Sequence, residues 1–174
     1  MELIEIFTEH EDAFSVGEKV LEDRKYLIYK DLNELGMFTG YVLLRKSLID
    51  AIEKNTEYLG VMREYVSYAN EHPYDGWFDL PELKLKDGED YVRQIVSLAE
   101  KEKEIIWVWT KEVPEMTYGF PELNGERFHL RCVAHDNALF FDEMDFDAED
   151  IYYIGFGGID CRLLKRAHEA LEEK

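Results

Sequence analysis

The chain has 174 residues, with 39 acidic side chains against 20 basic ones, a formal net charge of −19, and 46% apolar residues. That much apolar material excludes a disordered chain, because enough surface can be buried to offset the entropy of ordering. The charge repels phosphate backbones and anionic membrane surfaces and attracts basic proteins, so a basic protein partner is expected, with no nucleic acid and no membrane.

Met1 to Ile6 lacks the positive region and apolar run of a secretory signal, and no stretch approaches the roughly 20 apolar residues that cross a bilayer. Two cysteines, Cys132 and Cys161, are too few for a disulfide framework. A cytoplasmic protein with free thiols is the expectation. The densest cationic run, Arg162 to Arg166, is placed near the end of a helix, where it complements the helix dipole.

In chain order, the segment through Glu9 is undecided between strand and helix. Ser15 to Leu21 and Lys25 to Lys30 alternate as strands about a charged turn at Glu22-Asp23-Arg24. Tyr41 to Arg45 forms a third strand and Leu48 to Ile52 a short fourth. Asn55 or Thr56 caps a helix whose buried stripe runs through Tyr58, Leu59, Met62, Tyr65, Val66 and Ala69. Residues 72–88 read as a connector rich in Pro and Gly, packed on the protein through Tyr74, Trp77, Phe78, Leu80 and Leu83. A helix from Glu89 or Asp90 to Lys101 follows, then a strand from Glu104 to Thr110 that is apolar on both faces. Pro114 to Gly125 is irregular or a hairpin. Arg127 to Ala134 and Ala138 to Met144 form a hairpin about His135-Asp136-Asn137, and a strand at Ile151 to Ile154 and a helix from Asp160 to about Leu171 close the chain.

The fold class is therefore α+β: short bent antiparallel sheets or small barrels with flanking helices, in one compact unit over residues 1–174. Ile49-Asp50-Ala51-Ile52 is echoed by Ile151-Tyr152-Tyr153-Ile154, and Tyr58-Leu59 by Leu163-Leu164. The echo suggests a duplicated β-β-β-α unit in halves 1–71 and 89–174, with about two extra residues in the second glycine loop.

Phe14-Ser15-Val16-Gly17 before a strand, and Gly40 to Arg45 leading to Ile49 and Tyr58-Leu59, carry a resemblance over residues 14–60 to uncharacterised bacterial Sm-like or SH3-like small barrels. The resemblance implies strongly bent strands followed by a helix, and transfers no catalytic residues. Sm-like modules often bind RNA, a role the acidity here opposes. The chain also looks like the small acidic immunity proteins of bacterial toxin systems, a likeness of kind that does not establish function.

His129, Cys132 and His135 have a zinc-like spacing, but on a strand Cys132 faces away from the two histidines. His129, His135 and Cys161 are the metal-site candidates of an alternative reading, a small metal-dependent hydrolase. Asp145, Asp147 and Glu149 alternate like calcium ligands, yet the EF-hand glycine and twelfth-position acid are missing. Gly155-Phe156-Gly157-Gly158 lacks a P-loop lysine and is followed by Asp160 as a helix cap, so phosphate binding is not supported. With no elbow serine, metalloprotease helix or Cys-x-x-Cys pair, no cofactor and no catalytic residue are assigned. The leading reading is an acidic binding module, most concretely an inhibitor or immunity protein for a basic protein such as a nuclease toxin. Its contact residues are Asp75, Trp77, Asp79, Asp142, Asp145 and Asp147, where carboxylates steer and aromatics anchor. A self-associating housekeeping module is the third reading.

Overall fold

Alternating apolar residues build ten strands in the computed structural model, which describes residues 2–9, 13–72, 82–113 and 115–172. The chain divides into two units, Met1–Pro81 and Glu82–Lys174. In the first, β1 (Leu3–Thr8), β2 (Ser15–Glu22), β3 (Tyr26–Leu32), β4 (Phe38–Arg45) and β5 (Ile49–Glu53) form an antiparallel sheet ordered β5-β1-β2-β3-β4. A 3-10 turn at Lys46–Leu48 separates β4 from β5, and helix α1 (Glu57–Glu71) follows. Thr56 caps α1 by accepting the Leu59 amide at 3.1 Å, and its hydroxyl donates to the buried carboxylate of Glu5. Leu59, Met62 and Val66 sit on one side of α1 and pack on Leu3, Val16, Leu32 and Phe38.

The second unit begins with α2 (Tyr91–Glu102), capped by Asp90, whose buried side presents Tyr91, Val92, Ile95, Val96 and Ala99. Then come β6 (Ile106–Thr110), β7 (Thr117–Asn124), β8 (Arg127–Val133), β9 (Phe140–Phe146), a 3-10 turn (Ala148–Asp150), β10 (Ile151–Phe156) and α3 (Ile159–Glu172). Their order is β10-β6-β7-β8-β9, which repeats the first unit strand for strand.

The repetition extends to single residues. Glu5, Ile6, Phe7 and Thr8 face Glu53, Ile52, Ala51 and Ile49; Trp107, Val108, Trp109 and Thr110 face Gly155, Ile154, Tyr153 and Ile151, each a step of 102 residues, with the same bulge before the threonine. Glu9 N–H donates to Leu48 O as Lys111 N–H donates to Asp150 O. Asn55 and Gly157 both hold φ of 64°, the left-handed turn that leads into each helix. In β3 and β8 the step is 101, because a bulge between Lys19 and Leu21 takes up one residue that the longer turn before β9 restores. The small cores also match: Leu3, Leu32, Phe38, Leu59 and Met62 answer to Ile105, Val133, Phe140, Cys161 and Leu164.

Glycine is required at one matched pair. A Cβ on Gly17 would lie 2.5 Å from the Lys30 carbonyl oxygen, and one on Gly119 would lie 2.5 Å from that of Arg131. Strand β3 or β8 crosses so closely there that no side chain fits.

Several expectations are corrected. Each unit contributes five strands in an open order, so the sheet is neither short nor a closed barrel, and the repeat has five strands where three were expected. The glycine loop holds no extra residues, since Leu59 corresponds to Cys161 and Met62 to Leu164. Of the two options for residues 114–125, the irregular one is corrected: Thr117–Asn124 is strand β7, which forms a hairpin with β8, and it tolerates Pro121 because β7 pairs with β6 only as far as Gly119 and no donor is needed on that side beyond it. Arg162 to Arg166 lie in the body of α3, and Lys165 there donates to Glu104 at 2.9 Å. Asp160 lies in the first turn of α3 rather than before it. Residues 73–81, the heart of the expected connector, lie outside the described residues.

Candidate functional site: the outer face of α1

Helix α1 is apolar on two sides. Tyr58, Val61, Tyr65 and Tyr68 are 40%, 45%, 48% and 60% exposed, on a separate face from the buried Leu59, Met62 and Val66. Their spacing of three, four and three residues lines them up along one face of the helix. Phe14 extends the line at the helix start, with its ring edge-on to Tyr58 at 5.3 Å and 5.2 Å from that of Phe7. His72 extends it at the other end, stacked on Tyr68 at 4.4 Å. Beside this stripe run Glu57, Glu64 and Glu71, all exposed. Among the described residues none of the three forms an ion pair.

Sequence periodicity alone assigned Tyr58 and Tyr65 to the buried stripe, and the structure turns both outward. The available signal was excess: a surface helix needs one apolar stripe, and Tyr58, Leu59, Val61, Met62, Tyr65, Val66 and Tyr68 supply two.

Of the acids expected to contact a partner, Asp142 and Asp145 lie in β9 and Asp147 directly follows it. His129 and Asp145 are cross-strand neighbours, with Nδ1 2.9 Å from Asp145 Oδ1 and Nε2 3.7 Å from Glu143 Oε2. Arg127 Nε donates to Asp147 Oδ1 at 3.2 Å. Asp142 accepts the amide of Glu143 at 2.8 Å. Asp145 and Asp147 are thus held by side chains of the chain itself, His129 and Arg127, though such exposed pairs are worth under about 1 kcal/mol and yield to a better partner. Arg131 lies 4.1 Å over the Phe140 ring, and with Phe141, Asp142 and Glu143 these two line an open groove of about 350 Å³. Asp75, Trp77 and Asp79 lie outside the described residues.

The metal candidates stand in three settings. His129 lies between carboxylates on β8, and His135 lies in the exposed turn with its ring 5.4 Å from Tyr118. Cys161 is buried in the α3 core. Among the described residues no group of three or more His, Cys, Asp or Glu side chains is arranged to hold a metal ion. Burial, then the charge of Asp160, pushes the Cys161 thiol well above its ordinary range. Burial, then Asp142 and Glu143, takes Cys132 up to about 11. The Tyr118 hydroxyl donates to Asp160 at 3.0 Å, and burial followed by that carboxylate raises its pKa. These groups are poor nucleophiles, because each is held in its protonated form.

A second open groove, of about 410 Å³, lies along α2 and draws together Lys84, Lys86, Arg93 and Lys101 with Glu89 and Asp90. No basic cluster is visible in the linear sequence, since these cations are spread over 18 positions (84 to 101). No helix among the described residues is long and apolar enough to cross a membrane. No protein-family model, curated protein or solved structure matches this chain.

Proposed function

We propose that the chain is an acidic protein-binding module that captures a basic protein, most concretely an inhibitor or immunity protein neutralising an enzyme such as a nuclease toxin. The observation that carries the reading is the exposed stripe of Tyr58, Val61, Tyr65 and Tyr68 edged by the exposed carboxylates of Glu57, Glu64 and Glu71. Aromatic side chains at a surface centre supply most of the contact energy, while flanking charges set association rate and partner choice. A net charge of −19 adds long-range attraction for a cationic surface. Neutralisation would work by occlusion, with carboxylates taking the place that phosphate holds among the enzyme's cations. Asp142, Asp145 and Asp147 contribute to this field and are a second candidate contact.

The test is capture by the tagged full chain from its native cells at low and high salt, in parallel with Tyr65→Ser/Tyr68→Ser and with Asp142→Lys/Asp145→Lys/Asp147→Lys. A stoichiometric basic protein, weakened by salt and lost with either variant, is the expected result. No basic partner at either salt, from cells confirmed to make the protein, sinks the reading.

A further inference from the structure

Resting on that reading, we infer that α1 binds its partner helix to helix, as one strand of a short coiled-coil-like pair, and that the docked element is an amphipathic helix with basic flanks. Tyr58, Val61, Tyr65, Tyr68 and His72 occupy alternating a and d positions of a heptad, and all are exposed. Sustained spacing of three and four is the requirement for a second helix to lie along the first at a shallow angle. In the same frame Glu57, Glu64 and Glu71 fall at every g position. Residues at g reach across to the partner helix and select it by charge. The e positions are Met62, turned into the core, and Ala69, so selection acts from one flank only.

This arrangement argues against a second copy of the same chain. Parallel self-pairing would set Glu57, Glu64 and Glu71 against Met62 and Ala69, which carry no charge. Antiparallel self-pairing would set the glutamates against one another. A partner helix with Lys or Arg on its facing flank satisfies all three. The 15 residues of α1 span about 22 Å, two heptads, so the docked segment needs roughly that length.

The rest of the molecule is less suited to this role. On α3 the residues answering to the stripe are Asp160, Leu163, Ala167 and Ala170, and those answering to Glu57 and Glu64 are Ile159 and Arg166. The outer side of α2 is polar, with Arg93, Glu100 and Lys101.

The experiment uses synthetic 21-residue helical peptides and the full-length protein, with fluorescence anisotropy for affinity and NMR shifts for location. One peptide has Leu at a and d with Lys at e and g; a second replaces Lys by Glu; a third keeps Lys but has Ser at a and d. The Leu–Lys peptide should bind and shift α1 resonances, with the other two at least about ten-fold weaker. Glu57→Lys/Glu64→Lys/Glu71→Lys and Tyr65→Ser/Tyr68→Ser should each weaken the Leu–Lys peptide by about ten-fold or more, with the charge variant also losing salt dependence. Absence of binding, equal binding of the Ser peptide, or unchanged affinity of both variants would overturn the inference. The broader reading fails separately: a basic partner captured from cells that depends on β9 and ignores α1 leaves the functional proposal standing and removes only helix docking.

Discussion

Helices α1 and α3 occupy the same place in two units of the same topology; both bury their inward residues, but only α1 carries a row of exposed tyrosines outward. Inward, Leu59, Met62 and Val66 correspond to Cys161, Leu164 and His168, all buried against matched strands. Outward, Tyr58, Val61, Tyr65 and Tyr68 correspond to Asp160, Leu163, Ala167 and Ala170. Packing constrains the inner side of both, because each must fill a closed space at crystal-like density. No such demand accounts for three exposed tyrosines on one helix and none on the other. The divergence therefore singles out the outer side of α1 as the place to test for the contact proposed above, since the matched side of α3 has no such row.

The comparison can be broken most forcefully at the inner side. Leu59→Ala should cost about 3 kcal/mol, because it opens a cavity at a fully buried site, whereas the matched Cys161→Ala should cost about 1 kcal/mol. Chemical denaturation followed by probes within each unit would read both, and equal costs would show that the two cores are not equivalent. Next in size is Thr56→Ala, expected to cost about 1 to 2 kcal/mol in the first unit: it removes the α1 cap and the hydroxyl that satisfies buried Glu5. The second unit has Gly158 at the matched position and depends on no such side chain.

Alkaline pH should also separate the units. Cys132, Cys161 and Tyr118 all have raised folded-state values and all lie in the second unit. Below their unfolded values both states are protonated and stability is full; above them the unfolded state releases protons that the folded state retains, so stability falls. For Cys132 the loss should run from about pH 9, its ordinary value, to about 11, and Cys132→Ala should flatten the pH dependence in that window. A first unit that lost stability equally over the same range would contradict this assignment. The smallest effect is expected from Tyr65→Ser/Tyr68→Ser, which should change stability by less than about 0.5 kcal/mol because those rings lie on the exposed face. A larger loss would mean that the stripe serves folding.

Most strands were legible because their residues alternate or form short apolar runs bounded by turns, as at Tyr41 to Arg45 and Arg127 to Val133. The repeat was visible in Ile49 to Ile52 against Ile151 to Ile154. Its true length was not, because β1, where Glu5 is buried, matches Trp107 and shares little composition with it. Strand β7 was hidden by Gly119 and Pro121, whose fitness for a strand depends on where the neighbouring strand ends. At the candidate site, periodicity gave the helix and its cap, but it could not say which of two apolar stripes meets the sheet. The acids of β9 were found as exposed charge, while their partners on β8, Arg127 and His129, could be named only once the register was known.

The two thiols, Cys132 and Cys161, both belong to the second unit, and both are buried and held in their protonated form. A thiol reagent near neutral pH can modify them only when that unit opens. Labelling followed by mass spectrometry is then a clock for opening of the second unit alone, and with no cysteine before residue 132 the first unit leaves no mark on it. Partner binding at α1 that slows this clock would reveal energetic coupling between the units, and a clock that runs unchanged would show that the first unit acts by itself.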